Sequence, residues 1–282
     1  AQLDTIYDNC RWAEGPVWVA DGNYLLWSDI PNDRILRYIP GVGVSTFRHA
    51  AGNTNGHTRD REGRLVSCSH GNRHVERTEH DGTITVIADR YQGNRLNSPN
   101  DVVVKSDGTV WFTDPAYGIE SDYEGNKSEM EQAGCFVYCF DPAQGELRVV
   151  ADDFDRPNGL AFSPDESILY IGDSAASFGP ERPHHIRAFD VGPGNSLANG
   201  RVFAVIDPGL PDGFRCDVDG NVWTSAGDGI HVYTPSGVKL GKILTPKTPA
   251  NLTFGGPKRN WLFITATDSL HVLYTAANGA QR

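Results

Sequence analysis

Apolar and polar positions recur along this chain in a fixed order. Residues 99–114, PNDVVVKSDGTVWFTD, pass from a polar residue after proline into an apolar run, turn at Asp-Gly, and enter a second apolar run. Residues 157–173 (PNGLAFSPDESILYIGD) and 211–226 (PDGFRCDVDGNVWTSA) repeat the pattern. With Asn100, Asn158 and Asp212 as anchors, the turn falls seven residues later each time, at Asp107, Asp165 and Asp219. The same register places Glu14 before Asp21-Gly22, Asn55 before Glu62-Gly63, and Asn251 before Lys258-Arg259. Six copies in one register are an internal repeat. After each pair of runs come two further short segments rich in Val, Ile, Tyr and Phe, such as RILRYIP and VSTFRHA, bounded by Gly, Pro, Asp or Asn. Four strands per unit at this period predict an all-β fold, a six-bladed β-propeller of antiparallel four-stranded blades. The last copy shows three strands. LDTIYD, ahead of the first copy, is expected to supply the fourth and close the ring. With no linker or composition break, residues 1–282 read as one domain.

The first strand of a propeller blade lies innermost, beside the central channel. The six anchors, Glu14, Asn55, Asn100, Asn158, Asp212 and Asn251, should therefore ring one mouth of that channel. Asn and Asp before a strand often serve only a turn, by bonding their own backbone, but Glu14 is a poor turn former. Two carboxylates in one narrow channel repel and are costly to desolvate unless a cation lies between them. An all-oxygen donor set favours a hard divalent ion, Ca²⁺ first, with Mg²⁺ or Mn²⁺ as alternatives. The segments 115–134 and 174–185 are long connections between second and third strands and return to the same mouth, as a lid or as solvated flaps. Further candidates for substrate contact are Arg95, Tyr117 and His57, against which stand a surface arginine, a packing tyrosine and a hydrogen-bonded core histidine. Trp18, Trp27, Trp111, Trp223 and Trp261 read as packing between blades.

Composition narrows the classes. The chain carries 31 glycines, 17 prolines and a net charge of −11, which fits a turn-rich protein and argues against nucleic acid as a partner. No window is apolar enough for a membrane helix. A start at Ala1 rather than methionine allows for a leader already removed, so both cytoplasm and periplasm stay open. Cys10, Cys68, Cys135, Cys139 and Cys216 form no CxxC pair or zinc spacing and read as buried small residues, with one distant disulfide conceivable. No GxSxG, HExxH, P-loop or GxGxxG preceding a helix is present.

The segments AEGPVW, NSPNDVVVKSDGTVWFTDPAYG, RPNGLAFSPDES and LPDG together resemble the gluconolactonase and regucalcin (senescence marker protein) family of six-bladed propellers, in its bacterial gluconolactonase-like form. The resemblance implies hydrolysis of a small sugar lactone with one divalent cation in the channel, an ion for which Zn²⁺ also becomes a candidate. It places the ligands on Glu14, Asn100, Asn158 and Asp212, with Asp212 also as general base, and leaves Asn55 and Asn251 to support the ligands or contact the substrate. The alternatives are a metal-dependent phosphotriesterase or esterase on the same site, and a non-enzymatic binding propeller.

Overall fold

A computed structural model describes residues 2–280. The repeat folds as anticipated, into six four-stranded antiparallel sheets. Blade one runs Ala13–Val19, Tyr24–Asp29, Arg34–Ile39 and Gly43–His49 from axis to rim. The innermost strands of blades two to six are Thr54–Arg59, Val102–Val104, Pro157–Phe162, Phe214–Cys216 and Pro249–Gly255. Each packs against its neighbours, and the strand Pro249–Gly255 returns to Ala13–Val19, so the ring is closed. Asp4–Tyr7 pairs antiparallel with Ser269–Tyr274 as the outer strand of blade six. The closure is therefore made by hydrogen bonds between the two ends of the chain.

Facing blades bury alternating side chains against each other. Trp111 of blade three packs with Leu160 and Ile171 of blade four. Trp18 of blade one stacks on Phe263 of blade six with ring centroids 5.5 Å apart, and Trp223 meets Phe254 edge-on at 5.4 Å. Trp27 and Trp111 are fully buried. All five cysteines are buried and free, so no disulfide contributes. Among the described residues no helix is long and apolar enough to cross a membrane.

The inner strands approach one another unusually closely, and this shapes the site. Four anchors are followed by glycine: Glu14-Gly15, Asn55-Gly56, Asn158-Gly159 and Asp212-Gly213. A Cβ on Gly159 would lie 2.1 Å from the Asp212 carbonyl oxygen, and one on Gly15 would lie 2.0 Å from the Asn55 carbonyl oxygen. Gly56 N–H donates to Asn100 O at 2.8 Å and Gly213 N–H to Ala250 O at 2.7 Å, so backbone bonds cross between blades beside the anchors. Only a residue without a side chain permits that approach. The pairing of first and second strands also slips at four anchors, between Glu14 and Val17, Thr54 and His57, Pro157 and Leu160, and Pro249 and Asn251. Such bulges re-aim side chains.

Deleting the chain through Asp8 should leave Ser269–Tyr274 as an unpaired edge and open the ring. Thermal melting is expected to shift down by about 10 °C, on the order of several kcal/mol in a chain of this size. An unchanged melting temperature would show that the terminal strand does not hold the ring.

Candidate functional site

The anchors lie where the repeat placed them, at the head of the inner strands. Glu14 is 3% exposed, and Asn55, Asn100, Asn158 and Asn251 are likewise buried, while Asp212 is partly open to the cavity above. Their side chains form one hydrogen-bonded belt. The Asn55 amide donates to Asn100 Oδ1 at 2.7 Å, Asn100 Nδ2 donates to Asn158 Oδ1 at 2.6 Å, and the Asn158 side chain bonds Asp212. On the far side, Glu14 Oε2 accepts from Gly15 N–H at 2.6 Å and from Asn251 Nδ2 at 3.1 Å. His70, fully buried, touches the belt through Nε2, 3.2 Å from Asn100 Oδ1.

The belt floors a cavity of about 390 Å³ lined by Glu14, Asn55, Asn100, Asn158 and Asp212 below and by Trp12, Tyr117, Glu124, Ser177 and Leu210 on its walls. Tyr117 and Glu124 come from one of the two long connections and Ser174 and Ser177 from the other. Tyr117 stacks on Phe178 at 6.1 Å, tying the two connections together. Both therefore wall the cavity. Burial pushes the Tyr117 hydroxyl well above its usual range, so it stays protonated as a donor.

Electrostatics set this mouth apart. Burial, with Asp212 and Asp101 nearby, pushes the Glu14 carboxyl well above the carboxylate range. Burial, with Glu124 and Asp101, pushes Asp212 up to about 8. Below the belt, Asp101 (1% exposed) pairs with Arg215 (3% exposed) at 3.4 Å, the one buried ion pair of the channel among the described residues. Fully ionised, the three carboxylates Glu14, Asp101 and Asp212 against one guanidinium leave two negative charges, which a divalent cation would neutralise. Among the described residues no three His, Cys, Asp or Glu side chains gather to hold a metal. An ion here would therefore rest on two carboxylates completed by amide oxygens. Asn100 and Asn158 present such oxygens to the floor, and Asn158 Oδ1 keeps a second lone pair beyond the bond it accepts from Asn100. The donor set fits a hard cation.

Two candidates lie elsewhere. His57 does not face the channel: its Nε2 meets Ser28 Oγ at 2.8 Å and its Nδ1 meets Ser67 Oγ at 2.7 Å, inside the blades. The bulge between Thr54 and His57 breaks the two-residue alternation that would have aimed it at the axis. Arg95 ends a short hairpin, Arg90–Tyr91 with Asn94–Arg95, and its guanidinium donates to the Asn72 carbonyl away from the cavity. Asn251 stands behind Glu14 rather than on the cavity wall. Trp12, Glu124, His70 and the Asp101–Arg215 pair escaped the sequence reading. Of these, only Asp101 and Arg215 carried a signal, as charged residues within the repeated inner strands.

A model of the SMP-30/Gluconolactonase/LRE-like region matches residues 12–268. The chain belongs to this family. A gluconolactonase from Zymomonas mobilis is 32% identical over 95% of this chain and 80% of its own length. The pentonolactonase XacC of Haloferax volcanii is 29% identical over 91% of this chain and 82% of its own. The solved structure of a gluconolactonase from Xanthomonas campestris superimposes with a TM-score of 0.91 at 40% identity, over 97% of this chain and 89% of that one. The Xanthomonas campestris structure thus shares the fold over nearly the whole of this chain.

The buried histidines make stability depend on pH in a defined direction. Burial pushes His57 down to about 3 and His70 down to about 4. The native rings stay neutral where the unfolded chain, with an ordinary histidine pKa near 6.5, takes up protons. Each ring therefore stabilises the fold fully above about pH 6.5 and loses that contribution as pH falls toward its folded value, at about 1.4 kcal/mol per pH unit. Denaturant unfolding of His57→Gln from pH 7 to 4 should show a shallower decline than the parent, by close to one proton. Parallel declines would contradict the assignment.

Proposed function

We propose that the protein hydrolyses sugar lactones of the gluconolactone type to the open aldonic acids. The observation that carries this reading is the belt of Glu14, Asn100, Asn158 and Asp212, two carboxylates and two amides on the floor of a sugar-sized cavity, in a chain of the gluconolactonase family. These four side chains would hold one divalent cation, Ca²⁺ by their hard oxygen chemistry, with Mg²⁺, Mn²⁺ or Zn²⁺ as competitors. Bound there, the ion would supply Lewis-acid polarisation of the lactone carbonyl.

The chain's own residues carry the proton. Asp212, held by the Asn158 amide and made more basic by burial, takes a proton from the attacking water as the new C–O bond forms. As the ring C–O bond of the lactone breaks, the same carboxyl returns the proton to the departing ring oxygen. Water is thus consumed and one hydroxy acid leaves. Tyr117 and Asn55, on the cavity surface, offer hydrogen bonds to sugar hydroxyls, and Trp12 with Leu210 gives the sugar an apolar face. Glu124 and Ser177 complete a wall that limits water around the reacting carbonyl.

Acid release from D-glucono-1,5-lactone should disappear after EDTA and return with one of the four divalent ions. If no ion restores turnover, and phosphotriesters are cleaved instead, the esterase alternative takes precedence. Asp212→Asn is expected to lower kcat by about 10³-fold, within the usual range for loss of a general base, while circular dichroism stays native. Full turnover in that variant would remove Asp212 as the base. Glu14→Gln should weaken cation binding, followed by calorimetry, before it affects folding. An unchanged affinity would take Glu14 out of the ligand set.

A further inference from the structure

The opposite end of the channel holds a second cavity, of about 290 Å³, formed by the far ends of the inner strands and the turns that follow them. Where the catalytic mouth presents carboxylates, this one presents guanidinium groups. Arg59 at the end of Thr54–Arg59, Arg61 just beyond it, and Arg215 within Phe214–Cys216 all line it. Three arginines converging on one opening is unexpected in a chain of net charge −11.

Arg215 is the informative residue. It is buried, and its Nη1 is taken up by the Phe214 carbonyl at 2.8 Å and by Asp101 at 3.4 Å. Its Nε and Nη2 have no hydrogen-bond partner among the described residues. Burying N–H donors of a charged group without acceptors is costly, so an acceptor that enters this cavity gains more here than at the surface. Arg61 is exposed at the rim. Arg59 is already engaged, with Asp21 at 2.6 Å and the Gly63 carbonyl. Two acids share the lining: Asp165 accepts from Ser163 and Ser167 within its own turn, and Glu166 accepts from Ser106 in the turn of the neighbouring blade. Their charge disfavours large polyanions but leaves the Arg215 side free.

We propose that this mouth binds a small oxyanion, the phosphate or carboxylate group of a small molecule, gripped by the unpartnered edge of Arg215 with Arg61 at the rim. A guanidinium matches both groups through parallel N–H donors. The site is separate from the catalytic cavity, with the Asp101–Arg215 pair between the two, and it does not depend on the lactonase reading.

Calorimetric titration of the full chain with inorganic phosphate and, separately, with sodium acetate tests this, with sodium chloride at equal ionic strength as the control. Saturable binding of either probe, weakened in the variants below, is expected, phosphate alone or acetate alone naming the group that is preferred. Arg215→Lys keeps a charge opposite Asp101 but loses the fork, and should weaken binding by about tenfold, the loss of one charge-assisted hydrogen bond. Arg61→Ala, at an exposed position, should weaken it severalfold and decides the matter if Arg215→Lys fails to fold. Heats no larger than those of chloride, or an affinity unchanged in either folded variant, would overturn the proposal.

Discussion

Glu14 and Asp212 are carboxylates set toward the same narrow channel, and each raises the cost of ionising the other. Most of the architecture around them serves to hold that unfavourable pair in place. The Asn55–Asn100–Asn158 relay ends on Asp212, while Gly15 and Asn251 hold Glu14. Asp101 adds a third acid, and Arg215 supplies the guanidinium that pairs with it. Ionised, such a belt lacks two positive charges. A folded protein keeps an arrangement of this kind only where it does work or where the surrounding fold over-determines it.

The propeller provides that over-determination cheaply. Stability comes from the flanks of the blades, from contacts such as Trp111 on Leu160 and Trp18 on Phe263, and not from the axis. Six equivalent strand heads then converge on one point, and their chemistry can vary without disturbing the packing. Glycine after four of the anchors brings neighbouring backbones into contact beside the belt. The bulges turn the anchor side chains toward the axis. The two long connections wall the cavity where their Tyr117 and Phe178 rings stack.

Much of this was legible in the repeat. The anchor of each copy named all six members of the ring, and the missing fourth strand of blade six pointed to Asp4–Tyr7. What failed was reasoning by strict alternation. Alternation puts His57, two residues after Asn55, on the same face, but the bulge between Thr54 and His57 slips the register and delivers the ring to Ser28 and Ser67, the hydrogen-bonded core position that its sequence context also allowed. Arg95 lies five residues before Asn100, and a two-residue hairpin that no period announces carries it away. Glu124 and Trp12 reach the cavity from irregular segments, where side-chain direction has no sequence rule. The glycines were readable in principle, as an acid or amide followed by Gly in four copies, although their steric reason emerges only once adjacent strands are in view.

On the reading proposed above, one divalent cation would rest on the Glu14–Asn100–Asn158–Asp212 belt. Anomalous scattering from crystals grown with Mn²⁺ tests it most directly. A single strong peak is expected in the channel, in contact with oxygens of those four side chains and absent in Glu14→Gln crystals. A channel without a peak at saturating Mn²⁺, or a peak that touches none of the four, would contradict it.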